Sequence, residues 1–136
     1  MTHLAVLISV YNGDHAGQFE RALLSILNQR LPDNHDLNIY LGIDGPIPPP
    51  LEEVVAKYQS QIHLVSRSIK NIGLACTLNR LILARGDEAY FFRMDSDDIS
   101  LPDRFSAQLA YLEGRHDIDI LGTKSTNAVR TASGGL

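Results

Sequence analysis

The sequence predicts an α/β fold, a mostly parallel sheet flanked by helices, and three observations lead there. Apolar runs rich in β-branched residues alternate with segments whose apolar residues recur at helical spacing. Polar and acidic clusters fall directly after the apolar runs. The 136 residues, 44% hydrophobic and 21% charged, have the size and composition of one ordinary globular core.

The elements follow in order. Leu4-Ala5-Val6-Leu7-Ile8-Ser9-Val10 is a near-continuous apolar run, the pattern of a strand buried on both faces. Phe19, Ala22, Leu23, Ile26 and Leu27 recur at i, i+3, i+4, i+7 and i+8, one face of a helix. Leu37 to Ile43 reads as a second strand, closed by Asp44-Gly45-Pro46. Pro48-Pro49-Pro50 then delays a helix that carries Leu51, Val54, Val55 and Tyr58 inward. Ile62 to Ser66 is a short third strand.

Gly73 to Arg85 is helical, with Leu74, Leu78, Leu81 and Ile82 on one side and Gly86 at its end. Ala89 to Met94 is a fourth strand, and Pro102 opens a helix whose inner face is Phe105, Leu109 and Leu112. Ile118 to Leu121 is a fifth strand. Strands alternating with helices imply a parallel sheet with right-handed crossovers. Residues 1–123 form the domain, and 124–136, small and polar, are expected to be a loose C-terminal tail.

Several classes of function are disfavoured. Cys76 is the only cysteine, so no disulfide framework exists, and its apolar helical setting predicts a small buried hydrophobe. The five histidines are scattered, without a pair at metal-ligand spacing. A net charge of −4 speaks against a nucleic-acid surface, which needs a basic footprint. The apolar run Leu4 to Ile8 is far shorter than a membrane span of about 20 residues. The start of the chain also lacks the basic region and cleavage site of a secretory signal, so a cytoplasmic protein is expected, peripheral at a membrane only through a part outside these residues. No G-x-G-x-x-G, G-x-x-x-x-G-K-[ST] or G-x-S-x-G is present, which removes the usual anchors of dinucleotide, P-loop and simple hydrolase chemistry.

The distinctive polar residues fall at the ends of strands. Tyr11-Asn12-Gly13-Asp14 follows the first and Asp44 the second; Asn71-Ile72-Gly73 lies after the third and Asp95-Ser96-Asp97-Asp98 follows the fourth. In an open parallel sheet these points share one rim, where ligands bind. In an extended segment residues i and i+2 point the same way, so Asp95 and Asp97 can converge on one Mg²⁺ or Mn²⁺. The competing reading makes them solvated turn residues, with Asp98 or Ser100 capping the next helix. Tyr11 is either a flat face for stacking a base or an amphipathic residue packed at the sheet's end. Asp44 is either an acceptor for a base's ring N–H or a routine strand terminator. Arg67, Lys70, Arg80 and Arg93 are candidates to hold a diphosphate.

Taken in order, these pieces resemble the inverting glycosyltransferase family 2, whose fold is the Rossmann-like GT-A nucleotide-sugar-binding domain. The resemblance rests on Ser9-Val10-Tyr11-Asn12, Ser25-Ile26-Leu27-Asn28-Gln29 within Phe19 to Gln29, Asp44-Gly45, Asn71-Ile72-Gly73-Leu74 and Leu78-Asn79. It continues through Arg93-Met94-Asp95-Ser96-Asp97-Asp98-Ile99, then Pro102, Arg104-Phe105 and Gln108, and spans roughly residues 4 to 122. The last stretch is most similar to bacterial exopolysaccharide and lipopolysaccharide transferases.

The resemblance implies a UDP-sugar donor, a saccharide or lipid-linked saccharide acceptor, and Mn²⁺ or Mg²⁺. Tyr11 would stack on the uracil with Asn12 nearby, Asp44 would bond its ring N–H, and Asn71 would join the same site. Asp95 would face the ribose or uracil, Arg93 would lie close to the nucleotide, and Asp97 would ligate the metal. Asp98 would hold the loop by pairing with Arg104. The implied chemistry is hexosyl transfer in surface-polysaccharide synthesis, by single displacement with a carboxylate base. In the family that base and the acceptor half come later than residue 136, so a truncated domain is expected, its general base absent and its uncovered surface open to homo-oligomer formation. Neither Asp117 nor Asp119 carries a motif that marks it as the base. Two alternatives remain, a nucleotide-sugar-binding remnant without transfer and a sugar nucleotidyltransferase. The latter usually carries a glycine-rich basic loop that Tyr11-Asn12-Gly13-Asp14 does not resemble.

Overall fold

The computed structural model describes residues 2–113, 120–122 and 127–130. Four strands and three helices alternate first: β1 (Thr2–Tyr11), α1 (Ala16–Leu27), β2 (His35–Asp44), α2 (Pro49–Tyr58), β3 (Leu64–Arg67), α3 (Leu74–Leu83) and β4 (Tyr90–Met94). Then come α4 (Arg104–Glu113), β5 (Ile120–Gly122) and β6 (Asn127–Arg130). The sheet order is β3-β2-β1-β4-β6-β5. β1 pairs parallel with both β2 and β4, and β2 with β3. β6 runs antiparallel to β4 and to β5. The mostly parallel α/β architecture expected from the sequence is the one observed.

β1 is central because it is apolar on both faces. Leu4, Val6, Ile8 and Val10 pack with α1, α2 and α4, while Ala5 and Leu7 pack with α3. The helices bury the predicted stripes: Phe19, Ala22, Leu23 and Ile26 of α1, and Leu51, Val54, Val55 and Tyr58 of α2. On α4, Phe105 and Leu109 are fully buried, with Phe105 stacked 4.9 Å from Phe92 between ring centres. Leu112 lies outside the residues whose side chains are described.

Four readings change. Helix α3 closes at Leu83, and Gly86 does not cap it; the Gly86 amide donates to Glu88 Oε1 at 2.9 Å. Cys76 is exposed, not buried, because α3 turns Thr77, Leu78 and Leu81 to the sheet and Cys76 lies off that face. Leu74, expected inside, is also exposed, since it begins the helix at the rim of the sheet. The loose tail expected over 124–136 contains β6, whose Ala128 and Val129 pair with Phe92 and Phe91. Alternating small, apolar and charged residues there left too weak a pattern to read as a strand. The fifth strand is Ile120–Gly122, and Ile118, Asp117, Asp119 and the rest of the tail lie outside the described residues.

Among the described residues no helix is long and apolar enough to cross a membrane.

Candidate functional site

Parallel register sets the site. Tyr11, the last residue of β1, is the pairing partner of Asp44, the last of β2. Across the other edge of β1, Ile8 pairs with Met94, so Asp95 leaves the sheet beside them. The chain passes from β1 outward to β2 and β3 and returns to β4 on the opposite side. A crevice opens at such a reversal, beyond the carboxyl ends of the strands. Here it is a groove of about 350 Å³ lined by Ser9, Tyr11, Asp14, Asp44, Leu74, Asp95, Ser96 and Asp97.

Four of the seven sequence-predicted site residues therefore meet in one groove: Tyr11, Asp44, Asp95 and Asp97. Asn12, Asn71 and Arg93 stand beside it. Asn71 Nδ2 donates to the Asp44 carbonyl oxygen at 2.8 Å, and Arg93 Nη2 lies 3.5 Å from Asp95 Oδ1. Of the other basic candidates, Arg67 is held by a two-armed ion pair with Glu52, at 2.9 and 2.8 Å. Arg80 sits in the last turn of α3, the end away from the rim.

Ser9, Asp14, Leu74 and Ser96 line the groove without having been singled out as site residues. Asp14 had a readable signal, since a carboxylate three residues after a strand end favours a turn. Its Oδ2 accepts from the Tyr11 amide at 3.0 Å, and its own amide donates to the Tyr11 carbonyl at 3.1 Å. Tyr11 remains 48% exposed on that turn. Its ring lies over Gly13, where an added Cβ would come within 2.7 Å of three atoms of the phenol.

Asp44 serves the scaffold as well as the groove. Its Oδ1 accepts from the Ile72 amide at 2.7 Å and its Oδ2 from the Gly73 amide at 3.2 Å. These donors belong to the loop that enters α3, so the carboxylate fixes the start of that helix. Gly73 adopts φ 89°, a left-handed conformation that a side chain would strain.

The acidic loop is a tight turn. Asp98 Oδ2 accepts from the Asp95 amide at 3.2 Å, and the Asp98 amide donates to the Asp95 carbonyl at 3.1 Å. Asp98 thus holds the loop as expected, but by bonding the Asp95 amide, not by a direct pair with Arg104. The Arg104 guanidinium donates instead to Ser100 Oγ and, at 3.3 Å, to the Arg93 carbonyl, and lies 4.6 Å from the centre of the Phe105 ring. Burial pulls its pKa down to about 10, against the attraction of Asp98.

Carboxylate oxygens of Asp95, Asp97 and Asp98 lie within 4.8 Å of one another. Burial pushes the Asp98 carboxyl above its ordinary range, and the Asp95 and Asp97 charges push the same way. Three hard oxygen donors at this spacing suit Mg²⁺ or Mn²⁺, which bind through one or two carboxylates plus substrate phosphates. The donor set fits such an ion.

Comparison with known proteins shows the family and the fold. Residues 5–133 match the family described as Glycosyl transferase family 2, beyond residue 122 where the motif resemblance stopped. The chain is 37% identical over 119 residues to the amylovoran biosynthesis glycosyltransferase AmsE of Erwinia amylovora, covering 87% of this chain and 43% of that one. Its fold is similar to the mannosyltransferase PcManGT of Pyrobaculum calidifontis in complex with GDP-Man and Mn²⁺, with a TM-score of 0.78 and 14% identity over 97% of this chain and 46% of that one. It is also similar to S. aureus TarS 1-349 in complex with UDP-GlcNAc, with a TM-score of 0.72 and 20% identity over 88% and 33% of the two chains. At such identities these two structures speak to the GT-A fold alone. The chain spans less than half the length of the curated relatives it matches. With nearly its whole length inside the family's bounds, and a rim built where the motifs placed it, the chain belongs to glycosyl transferase family 2.

Proposed function

We propose that this chain carries the donor and metal site of a transferase that moves a sugar from a UDP-sugar to a saccharide acceptor in surface-polysaccharide synthesis. The observation that carries the reading is the meeting of Tyr11, Asp44, Asp95 and Asp97 around one groove, with the three-carboxylate cluster at its edge. The resemblance to AmsE supports the polysaccharide role, and the neighbours solved with UDP-GlcNAc and with GDP-Man and Mn²⁺ support a nucleotide-sugar donor and a divalent ion.

In this reading Tyr11 stacks on the base, and Asp44 accepts from its ring N–H through Oδ2, the oxygen less tightly held by the α3 loop. Asn12 and Asn71 border the base, while Asp95, steadied by Arg93, faces the ribose. Asp97 and its neighbours would hold Mn²⁺ or Mg²⁺, whose charge would offset that developing on the leaving diphosphate. Transfer inverts the anomeric centre: an acceptor hydroxyl attacks opposite the diphosphate and gives its proton to a carboxylate base. In this reading the transfer is cytoplasmic and its acceptor is a saccharide or lipid-linked saccharide.

The test is a thermal-shift and calorimetry panel of UDP-, GDP- and dTDP-sugars, with Mn²⁺ and with chelator. A ligand that binds only the folded state stabilises it by RT ln(1 + [L]/Kd), so the preferred nucleotide shows as the largest rise in melting midpoint. UDP-sugars should lead, and more strongly with Mn²⁺ than with chelator. Asp97→Ala should remove that metal-dependent gain, by at least the roughly 10–100-fold typical of losing a mere outer partner of a metal site. Equal UDP affinity for wild type and Asp97→Ala in Mn²⁺ would sink the metal assignment, and a preference for GDP-sugars would move the donor class.

A further inference from the structure

The segment Ser25-Ile26-Leu27-Asn28-Gln29 belongs to the family resemblance, yet none of it lines the groove. Its bonds explain what it does. Ser25 Oγ donates to the Ala22 carbonyl at 2.7 Å and accepts from the Ser100 amide at 3.0 Å. Gln29 Nε2 donates to the Leu101 carbonyl at 2.6 Å, and Gln29 Oε1 accepts from the Phe105 amide at 3.1 Å. The last turn of α1 and the residues just after it thus grip the chain that leaves the acidic loop at three points. The Phe105 amide is one of the donors at the start of α4 that lack a partner within the helix, and Gln29, two residues beyond the end of α1, supplies the missing acceptor.

Ser100 closes the neck of the acidic loop, because its Oγ also donates to Met94 Sδ at 3.3 Å. Residues 95–99 therefore hang between the end of β4 and the grip of α1. We propose that Ser25 and Gln29 are positioning residues that set the spacing of the Asp95, Asp97 and Asp98 carboxylates, and so the affinity of the site for a divalent cation. This rests on the reading of those three carboxylates as the cation's ligands. The physical reason is entropic: exposed carboxylates on a free loop must be ordered when the ion binds, whereas a loop fixed at both ends has already lost that freedom.

The experiment measures Mn²⁺ affinity, with and without UDP, by electron paramagnetic resonance of the free ion, and UDP affinity in chelator by calorimetry. Gln29→Met keeps the length of the side chain and removes its donor and its acceptor. It should weaken Mn²⁺ binding by about tenfold, as loss of an outer partner does. UDP affinity in chelator should fall less than Mn²⁺ affinity, because Tyr11 and Asp44 lie outside the gripped segment and only Asp95 of the nucleotide contacts lies within it. Ser25→Ala should act in the same direction, and Ser25→Thr, which keeps the hydroxyl, should restore the affinity. If Gln29→Met does not fold, Ser25→Ala decides, read at a temperature where its circular dichroism matches wild type. Variants that melt earlier but bind Mn²⁺ as wild type does would overturn the positioning role alone. Wild-type protein without Mn²⁺ affinity would overturn the cation site and this inference with it.

Discussion

Asp44 and Asn71 hold each other across the rim: the amide of Asn71 donates to the Asp44 carbonyl oxygen, and the Asp44 carboxylate takes the two backbone amides that follow Asn71. Asp44, read from sequence as either a base-binding acceptor or a turn terminator, fixes the loop into α3 and also lines the groove, so both roles are open to test. The two roles separate by substitution. Asp44→Ala leaves the Ile72 and Gly73 amides without their acceptor and should cost about 1–3 kcal/mol of stability by denaturant unfolding. Asp44→Asn keeps one carbonyl oxygen for Ile72 and should melt nearer to wild type, yet bind UDP several-fold more weakly because the second acceptor is gone. Wild-type UDP affinity in Asp44→Asn would reduce Asp44 to scaffold.

Tyr11 carries the stacking assignment. Tyr11→Ala should weaken UDP binding by about tenfold, in keeping with roughly 1–3 kcal/mol for one stacked base. Tyr11→Phe keeps the ring face and should change affinity little. Calorimetry giving equal losses for the two variants would mean the hydroxyl, not the ring, makes the contact.

The sheet and the rim were readable because both are consequences of short-range pattern. A strand buried on both faces is apolar along nearly its whole length, as Leu4 to Val10 is but for Ser9, and parallel pairing places the last residue of each parallel strand on one edge. What stayed hidden depends on contacts between distant segments. Nothing local to Cys76 or Leu74 says which way α3 is rotated on the sheet; that is set by Thr77 and Leu81 meeting Gly42. Nothing local to Gln29 says that its amide will cap a helix 76 residues later. Asp98 illustrates the middle case: its turn-forming role was legible from its position, but Arg104 as its partner was not, because burial steered that guanidinium to Ser100 and the Arg93 carbonyl.

At the opposite end of the sheet, buried Glu88 accepts from Tyr40 Oη at 2.6 Å, Asn38 Nδ2 at 2.9 Å and the Gly86 amide. Burial alone would raise its pKa, but these bonds outweigh it and hold the carboxyl below its usual value of 4.5. The same burial and the bond to Glu88 push the Tyr40 phenol up to about 12. A depressed carboxyl binds fewer protons folded than unfolded, so its contribution is present above about pH 4.5 and is lost as pH falls through the folded value. Glu88→Gln should lower stability by about 1–3 kcal/mol at neutral pH, since its NH₂ must face a donor. It should also lose less on acidification than wild type. Parallel stability curves from pH 7 to pH 3 would show that Glu88 is not a source of the acid sensitivity.

The packing of α3 against Gly42 of β2 offers a test of how rotation and site are linked. A Cβ built on Gly42 would stand 2.4 Å from Thr77 Cγ2 and 3.4 Å from Leu81 Cδ1. Thr77 cannot swing aside, because a β-branched side chain in a helix is stiff and its Oγ1 donates to the Gly73 carbonyl at 2.8 Å. Gly42→Ala must therefore lift α3, at about 1–3 kcal/mol for overpacking. The start of α3 carries Leu74 at the groove and follows the amides that Asp44 holds, so the same shift should weaken UDP binding. Thr77→Ser removes the clashing methyl and keeps the hydroxyl. The double variant Gly42→Ala, Thr77→Ser should thus regain most of the stability and the affinity that Gly42→Ala loses. Strictly additive losses in the two measurements would show that Gly42 and Thr77 do not meet, and that α3 is seated on the sheet by other contacts.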